Sequence, residues 1–204
     1  MSPRLLPSSN GDAYDATNNP YGFLTYNPFF VGTGGSMGTG GSGSLGANWA
    51  ANHNGTRAGL TTVYSKVNSG GKDWQQITYS GTPTLAGQYD QLQSAINVGV
   101  VADYIGKVVQ GVGEVEWDAN ATGVLGTSIG IEGNFAATFF RNYAIDYGGQ
   151  PMPTEAGSGI IFTEPFVVPA TVTGFNMRMA NYFIQNQAVS LTLRLRGLGI
   201  RKLT

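Results

Sequence analysis

VSLTLRLRGLGI, residues 189–200, places Val189, Leu191, Leu193 and Leu195 at every second position, with Ser190, Thr192, Arg194 and Arg196 between them. An extended chain turns successive side chains to opposite faces, so this period of two makes one oily face and one wet face. A helix would repeat its apolar residues every three or four positions instead. Just upstream, Phe175, Met177 and Met179 alternate in the same way with Asn176, Arg178 and Ala180. Before them, Phe166, Val168 and Val172 continue the β signal, with Pro169 marking a break. The C-terminal third therefore reads as strands that each bury one face.

The same signal recurs toward the N-terminus. Leu60–Val67 (LTTVYSKV) is rich in β-branched residues and ends at the turn Asn68-Ser69-Gly70-Gly71. Asp73–Ser80 (DWQQITYS) sets Trp74, Gln76 and Thr78 on one face and Gln75, Ile77 and Tyr79 on the other. Tyr104–Trp117 is valine-rich with interrupting glycines that suggest bulges. Residues 123–147 add at least one more pair, IGIEG and then FAATFF. A strand is also expected over Tyr21–Val31, interrupted by Pro28, and a short one near Trp49. Leu85–Val98 is the one segment read as a helix. Strands divided by turn signals every ten to fifteen residues or so indicate an antiparallel sandwich or barrel.

Residues 27–49, NPFFVGTGGSMGTGGSGSLGANW, hold eight glycines between Gly32 and Gly46. Gly38–Gly43 spells G-x-G-x-x-G, but that motif works by presenting a helix N-terminus to a pyrophosphate, and here more Gly/Ser and a strand follow. The run is read as a long loop between strands, whose glycines permit positive φ and close backbone packing. Residues 1–20, polar and punctuated by prolines at 3, 7 and 20, read as an extended arm. The sandwich domain is assigned to residues 21–204.

Bulk composition narrows the function classes. In a 204-residue chain, 11 basic and 12 acidic residues offer no general attraction to nucleic acid or to an anionic membrane. No stretch approaches a membrane span, and the N-terminus lacks the apolar core of a signal peptide. Without cysteine there are no disulfides, thiolate metal sites or Cys nucleophiles. Two Asn-x-Thr sequons, at Asn54 and Asn120, are read as chance.

Candidate chemistry is sparse. Two G-x-S-x-G matches, Gly34–Gly38 and Gly126–Gly130, lack the strand-turn-helix context of a nucleophile elbow, and His53, the single histidine, reads as an exposed turn residue. Glu114 and Glu116 share a strand face roughly 6.5–7 Å apart, near the spacing of a glycosidase pair, but a wet sheet face explains them more simply. Asp12, Asp15, Asn18 and Asn19 offer oxygen ligands without EF-hand spacing, so no metal or cofactor is expected. Trp49, Trp74, Tyr79, Tyr89, Tyr104 and Trp117 could stack on sugar rings, with Gln75, Gln76 and Gln91 bonding the hydroxyls. Trp74, Gln76, Tyr79 and Trp117 are singled out as the carbohydrate-binding candidates.

The order of features, Asn27-Pro-Phe-Phe30, a Gly/Ser loop ending in Trp49, then DWQQITYSGTP, then a strand running into GLGIRKLT, resembles a known group. It is similar to the jelly-roll, carbohydrate-binding-like (galactose-binding-type) modules of bacteriophage tail and virion proteins, over about residues 26–204. Such modules often stand beside GDSL-type hydrolase domains. Here Gly11-Asp12 is followed by Ala13 where such a hydrolase would carry serine. The resemblance implies an all-β, antiparallel jelly-roll β-sandwich with an extended N-terminal arm. It implies a non-enzymatic virion structural protein, a capsid decoration, head-fibre or tail component made in the host cytoplasm. Other virion proteins and further copies of the chain would be its partners. The alternative is a carbohydrate-binding module that attaches to host surface polysaccharide. Exposed aromatics beside Asn, Gln or Asp on one sheet face would favour it.

Overall fold

A computed structural model describes residues 29–54, 57–95, 102–135, 138–146 and 155–203. The strands open with β1 (Gly34–Ser36), β2 (Gly41–Gly43), β3 (Leu45–His53), β4 (Leu60–Ser69) and β5 (Lys72–Gly81). They continue with β6 (Tyr89–Ala95), β7 (Val108–Trp117), β8 (Val124–Phe135) and β9 (Thr138–Asp146). Last come β10 (Gly157–Phe162), β11 (Phe166–Val167), β12 (Val172–Phe183) and β13 (Val189–Lys202). They form two sheets, ordered β1-β3-β6-β12-β8-β9 and β10-β7-β13-β5-β4-β2, with β11 beside β7. The architecture is an antiparallel β-sandwich of jelly-roll type. The arm expected at residues 1–20 lies outside the described residues, as do Asp12, Asp15, Asn18 and Asn19.

Period-two patterning builds the core. Val189, Leu191, Leu193 and Leu195 of β13 point inward and meet Phe175, Met177, Met179 and Phe183 of β12 from the opposite sheet. The register of β13 against β7 slips between Arg196 and Gly199. Gly197 has φ 58° there, a left-handed conformation that suits glycine, and the bulge shifts the phase by one. Leu198 and Ile200 therefore replace the odd-numbered residues on the inner face. β4 and β5 form a hairpin whose two-residue turn is Gly70-Gly71, both at positive φ, with Ser69 opposite Lys72.

Three expectations are corrected. Leu85–Val98 is not a helix: its described part is a turn followed by β6, whose inner face carries Asp90 and Ser94 beside Leu92. The expected strand over Tyr21–Val31 is a turn and irregular chain at residues 29–31, where Phe30 adopts φ 57° to lay its ring on Trp49, centroids 4.3 Å apart. The rest of that segment lies outside the described residues. The glycine run is more than a loop, because it contains β1 and β2. β1 pairs in parallel with β3 of one sheet, and β2 in parallel with β4 of the other. The run thus crosses from sheet to sheet and covers one edge of each.

Glycine is required on that crossing. At Gly43, φ is 98° and an added Cβ would collide with the Tyr64 carbonyl oxygen. At Gly46 it would sit 2.5 Å from the Phe30 Cα. Two buried side chains hold the crossing down. Gln75 accepts from the Gly46 N–H (3.0 Å) and donates to the Ser44 carbonyl (3.0 Å). Arg57 donates to the carbonyls of Thr39 (2.6 Å) and Met37 (2.7 Å).

Candidate functional site

The four singled-out residues fall on two faces of the seven-stranded sheet. Tyr79 points inward, 1% exposed, and packs on Phe183 with centroids 5.2 Å apart. Its ring belongs to the core and has no face for a sugar. Trp117 also packs against the core, with the backbone of Gly157 against its ring and Nε1 donating to the Glu155 carbonyl (3.0 Å). Trp74 and Gln76 lie on the outer face. Trp74 is nonetheless 5% exposed, its Nε1 donating to Ser69 O (3.2 Å). Gln76 is half-buried and accepts from Arg194 Nε (3.0 Å). Gln75 is wholly buried and fully occupied with backbone and Lys66, so it cannot serve sugar hydroxyls. The reason is the strand itself: alternation divides Trp74 from Tyr79, and long neighbours cover what remains.

The paired glutamates are tied up on that outer face. Glu114 takes Lys72 Nζ on Oε2 (3.0 Å) and Arg196 Nη1 on Oε1 (3.1 Å). Glu116 faces Arg194 Nη1 at 3.7 Å, and Arg194 also forks onto Asp118 at 2.8 and 3.1 Å. Both carboxylate oxygens of Glu114 are engaged by cations, so no glycosidase-like pair is presented. A groove of about 260 Å³ passes between Trp74, Glu114, Ser158 and Ile160. A second, of about 500 Å³, lies at the sandwich end between Phe29, Val31, Lys66 and Trp74. Lys66 Nζ donates there to Gln75 Oε1 (2.8 Å) and to Phe30 O, and burial pulls its pKa down to about 8.

The six-stranded sheet presents a different outer face. In β12 the inward residues Phe175, Met177, Met179 and Phe183 turn Asn176, Arg178, Ala180 and Tyr182 to the opposite face, where Arg178 and Ala180 are themselves buried and Asn176 and Tyr182 are half-buried. In β6 Leu92 points in, leaving Tyr89, Gln91 and Gln93 on the opposite face, with Gln91 buried and the other two half-buried. Register aligns them: Tyr182 opposite Tyr89, Ala180 opposite Gln91, and Arg178 opposite Gln93. On the other flank β8 offers Gly126, Ser128 and Gly130 to the same rows. Beyond β6, Asn52 of β3 stands opposite Gln91 and Ala50 opposite Gln93.

One connected chain of side chains runs along β12. Glu132 Oε2 lies 2.6 Å from Arg178 Nη1, a diagonal cross-strand pair in which both side chains are largely buried. Arg178 Nη2 donates to the Tyr182 hydroxyl at 3.3 Å, bridging over Ala180. The Tyr182 ring meets that of Tyr89 at 6.2 Å, tilted by 53°. Tyr89 is fixed at its backbone, where its N–H donates to Asn54 Oδ1 (2.7 Å). Two half-buried phenol rings thus stand beside two primary amides, of which the buried Gln91 donates to Gln93 Oε1 at 3.4 Å. Tyr89 and Gln91 were named among the candidate aromatics and amides of the sequence. Tyr182 and Gln93 were missed, although the alternation of residues 175–180 already marked the wet phase that Tyr182 continues.

Inside the sandwich lies a second polar cluster. Asp90 accepts from Arg57 Nε and Nη2 (both 3.2 Å) and from the Thr62 hydroxyl (3.1 Å), with the two charged side chains 0% and 1% exposed. Burial pushes the Asp90 carboxyl upward, while Arg57 and Thr62 hold it back. His53 ends β3 opposite Asp90, half-buried, rather than sitting in an exposed turn. Among the described residues no group of three His, Asp or Glu is placed to hold a metal ion.

The fold belongs to the jelly-roll β-sandwiches. No family model matches the chain, and no curated protein sequence matches it. Among solved structures it is similar to a carbohydrate-binding module of the β-sandwich superfamily described for promiscuous specificity. That likeness has a TM-score of 0.48 and 10% identity, over 77% of this chain and 57% of the other. It is also similar to the enzymatically active domain of tailspike protein 4 of bacteriophage CBA120, with TM-score 0.48 and 10% identity over 77% and 20%. A CBM4 module gives a TM-score of 0.46 and 12% identity over 76% and 86%. The chain thus spans a little over half of the first structure and a fifth of the second.

Proposed function

We propose that the protein is a non-catalytic carbohydrate-binding module whose ligand lies on the outer face of the six-stranded sheet. The observation that carries this reading is the Tyr89–Tyr182 pair, flanked on the same face by Gln91 and Gln93. Apolar C–H faces of a sugar ring pack on phenol rings, and amides answer its hydroxyls in both directions. The tie from Arg178 to Tyr182 orients one ring before a ligand arrives, which lowers the cost of ordering it on binding. In this reading the module attaches to surface polysaccharide, and a place on a phage particle would make that polysaccharide the host's.

The test is glycan-array screening followed by titration. Tyr182→Ala and Tyr89→Ala are each expected to weaken binding by about tenfold or more, the loss of one aromatic stacking contact. Trp117→Phe, altered on the core side, is expected to bind like the parent. Undiminished binding by both tyrosine variants, with unchanged thermal unfolding, overturns the site.

A second reading, a virion structural component that assembles with other copies or other virion proteins, is favoured by a different surface. Ile160, Phe162 and Val167 are about half exposed on β10 and β11. β10 is an edge strand among the described residues, and apolar edges are places where chains pair.

A further inference from the structure

We infer that Lys66 is a covalent capture site, a nucleophilic amine on the wall of the sandwich-end groove that forms an imine with small aromatic aldehydes. The inference is independent of the glycan-binding reading and concerns a different part of the molecule. Strand register places the amine. Leu60, Thr62 and Tyr64 hold the inner phase of β4, and Lys66 continues that phase opposite Gln75, where the core gives way to the groove of about 500 Å³. Phe29, Val31 and Trp74 supply apolar walls there. Lys66 is itself exposed, with its amine over the Phe30 ring, 5.9 Å from the centroid.

Both acceptors of that amine are uncharged oxygens: Nζ donates to the Phe30 carbonyl and to Gln75 Oε1 (2.8 Å). A neutral amine has two N–H groups and one lone pair, so these bonds fill its donors and leave the lone pair for a ligand. Of the charged groups around the groove, Asp73 of β5 accepts from Asn68 Nδ2 (2.9 Å), and Arg196 of β13 stands over the Phe29 ring at 5.3 Å. Desolvation therefore acts on Lys66 unopposed and brings its pKa to about 8. At about pH 7.5, roughly a quarter of such an amine is neutral, against roughly a thousandth of an ordinary lysine.

The chemistry balances without an outside oxidant or reductant. The Nζ lone pair attacks the aldehyde carbon, the C=O π pair moves to oxygen, and that oxygen takes the proton Nζ sheds. The nitrogen lone pair then closes the C=N bond as hydroxide leaves with a solvent proton, as water. The protonated imine keeps one N–H for the Phe30 carbonyl, while Gln75 Oε1 still accepts from the Gly46 N–H (3.0 Å), so neither acceptor is stranded. The aromatic body of the aldehyde lies against the apolar wall.

The experiment treats the folded protein with benzaldehyde and sodium cyanoborohydride, which fixes an imine as a benzylamine, and maps the label by peptide mass. Lys72, Lys107 and Lys202, the other lysines of the chain, are internal standards. Lys66 is expected to label faster than each by about tenfold or more, the gain in neutral amine outweighing its lower basicity. The preference is expected to shrink with glycolaldehyde, which has no ring to seat, and to vanish in urea. Lys66→Arg, which keeps the charge and the donors, is expected to unfold at the parent's temperature and to lose the fast label. A folded parent in which Lys66 labels no faster than Lys107 and Lys202 overturns the inference. So does a preference of equal size for glycolaldehyde, or one that persists in the unfolded chain.

Discussion

Asp90 and Arg57 form the most deeply buried ion pair among the described residues. Each loses its water on folding, and the pair is tolerated because the carboxylate receives two guanidinium bonds and the hydroxyls of Thr62 and Tyr64. Arg57 spends its remaining donors on Met37 and Thr39 of the glycine crossing. Asp90→Asn is therefore expected to cost about 3–5 kcal/mol in urea unfolding, the usual loss on breaking one side of a buried pair. Arg57→Met with Asp90→Leu should cost less than the single change, since no charge is stranded. A single variant within about 1 kcal/mol of the parent would show that the pair is not needed. The same pair explains why β6 was hard to read: its inward positions alternate Asp90, Leu92 and Ser94, so the period of two was masked by polar residues satisfied from far along the chain.

At the scale of elements, the crossing between β1 and β2 converts a glycine-rich run into edge protection for both sheets. β4 would otherwise leave the Tyr64 carbonyl at an open edge; instead Ser44 N–H donates to it at 2.8 Å. That approach needs a residue without a side chain at Gly43, where φ is 98° as well. Gly43→Ala is expected to destabilise the protein by more than about 2 kcal/mol, from backbone strain and collision together. Gly70→Ala, where an added Cβ meets nothing within 4 Å, is expected to cost less, since it carries only the strain of its positive φ. Chemical denaturation of the two variants side by side checks the difference, and equal losses would show that space at Gly43 is not limiting. The run looked like a loop because three-residue strands have no periodicity to show.

For the whole molecule, the two sheets offer unlike outer faces. That of the seven-stranded sheet is laced with ion pairs among Lys72, Glu114, Arg196, Glu116, Arg194 and Asp118. That of the six-stranded sheet carries tyrosines and amides around the largely buried Glu132–Arg178 pair. The two proposed roles rest on separate surfaces, assembly on the apolar β10 edge and ligand binding on the Tyr89–Tyr182 face. If the edge joins copies of the chain, Phe162→Lys is expected to lower the mass measured by light scattering to that of one chain while leaving glycan binding intact. An unchanged mass would exclude β10 as the contact.

By itself, the order of residues determined the β class, the inner faces of β5, β12 and β13, and the β4–β5 turn, because these follow from neighbours one or two positions apart. It also named Tyr89 and Gln91 among the aromatics and amides that could meet a sugar, though not among the four residues singled out. Tertiary structure alone decided that Tyr79 and Trp117 face the core, that Trp74 is covered, and that Tyr182 stands beside Tyr89. Alternation states that a side chain points outward from its strand; it does not state which strand lies beside it. Tyr89 and Tyr182, or Glu132 and Arg178, become neighbours only through the pairing of β12 with β6 and β8, a register set by long-range hydrogen bonding and a shared core.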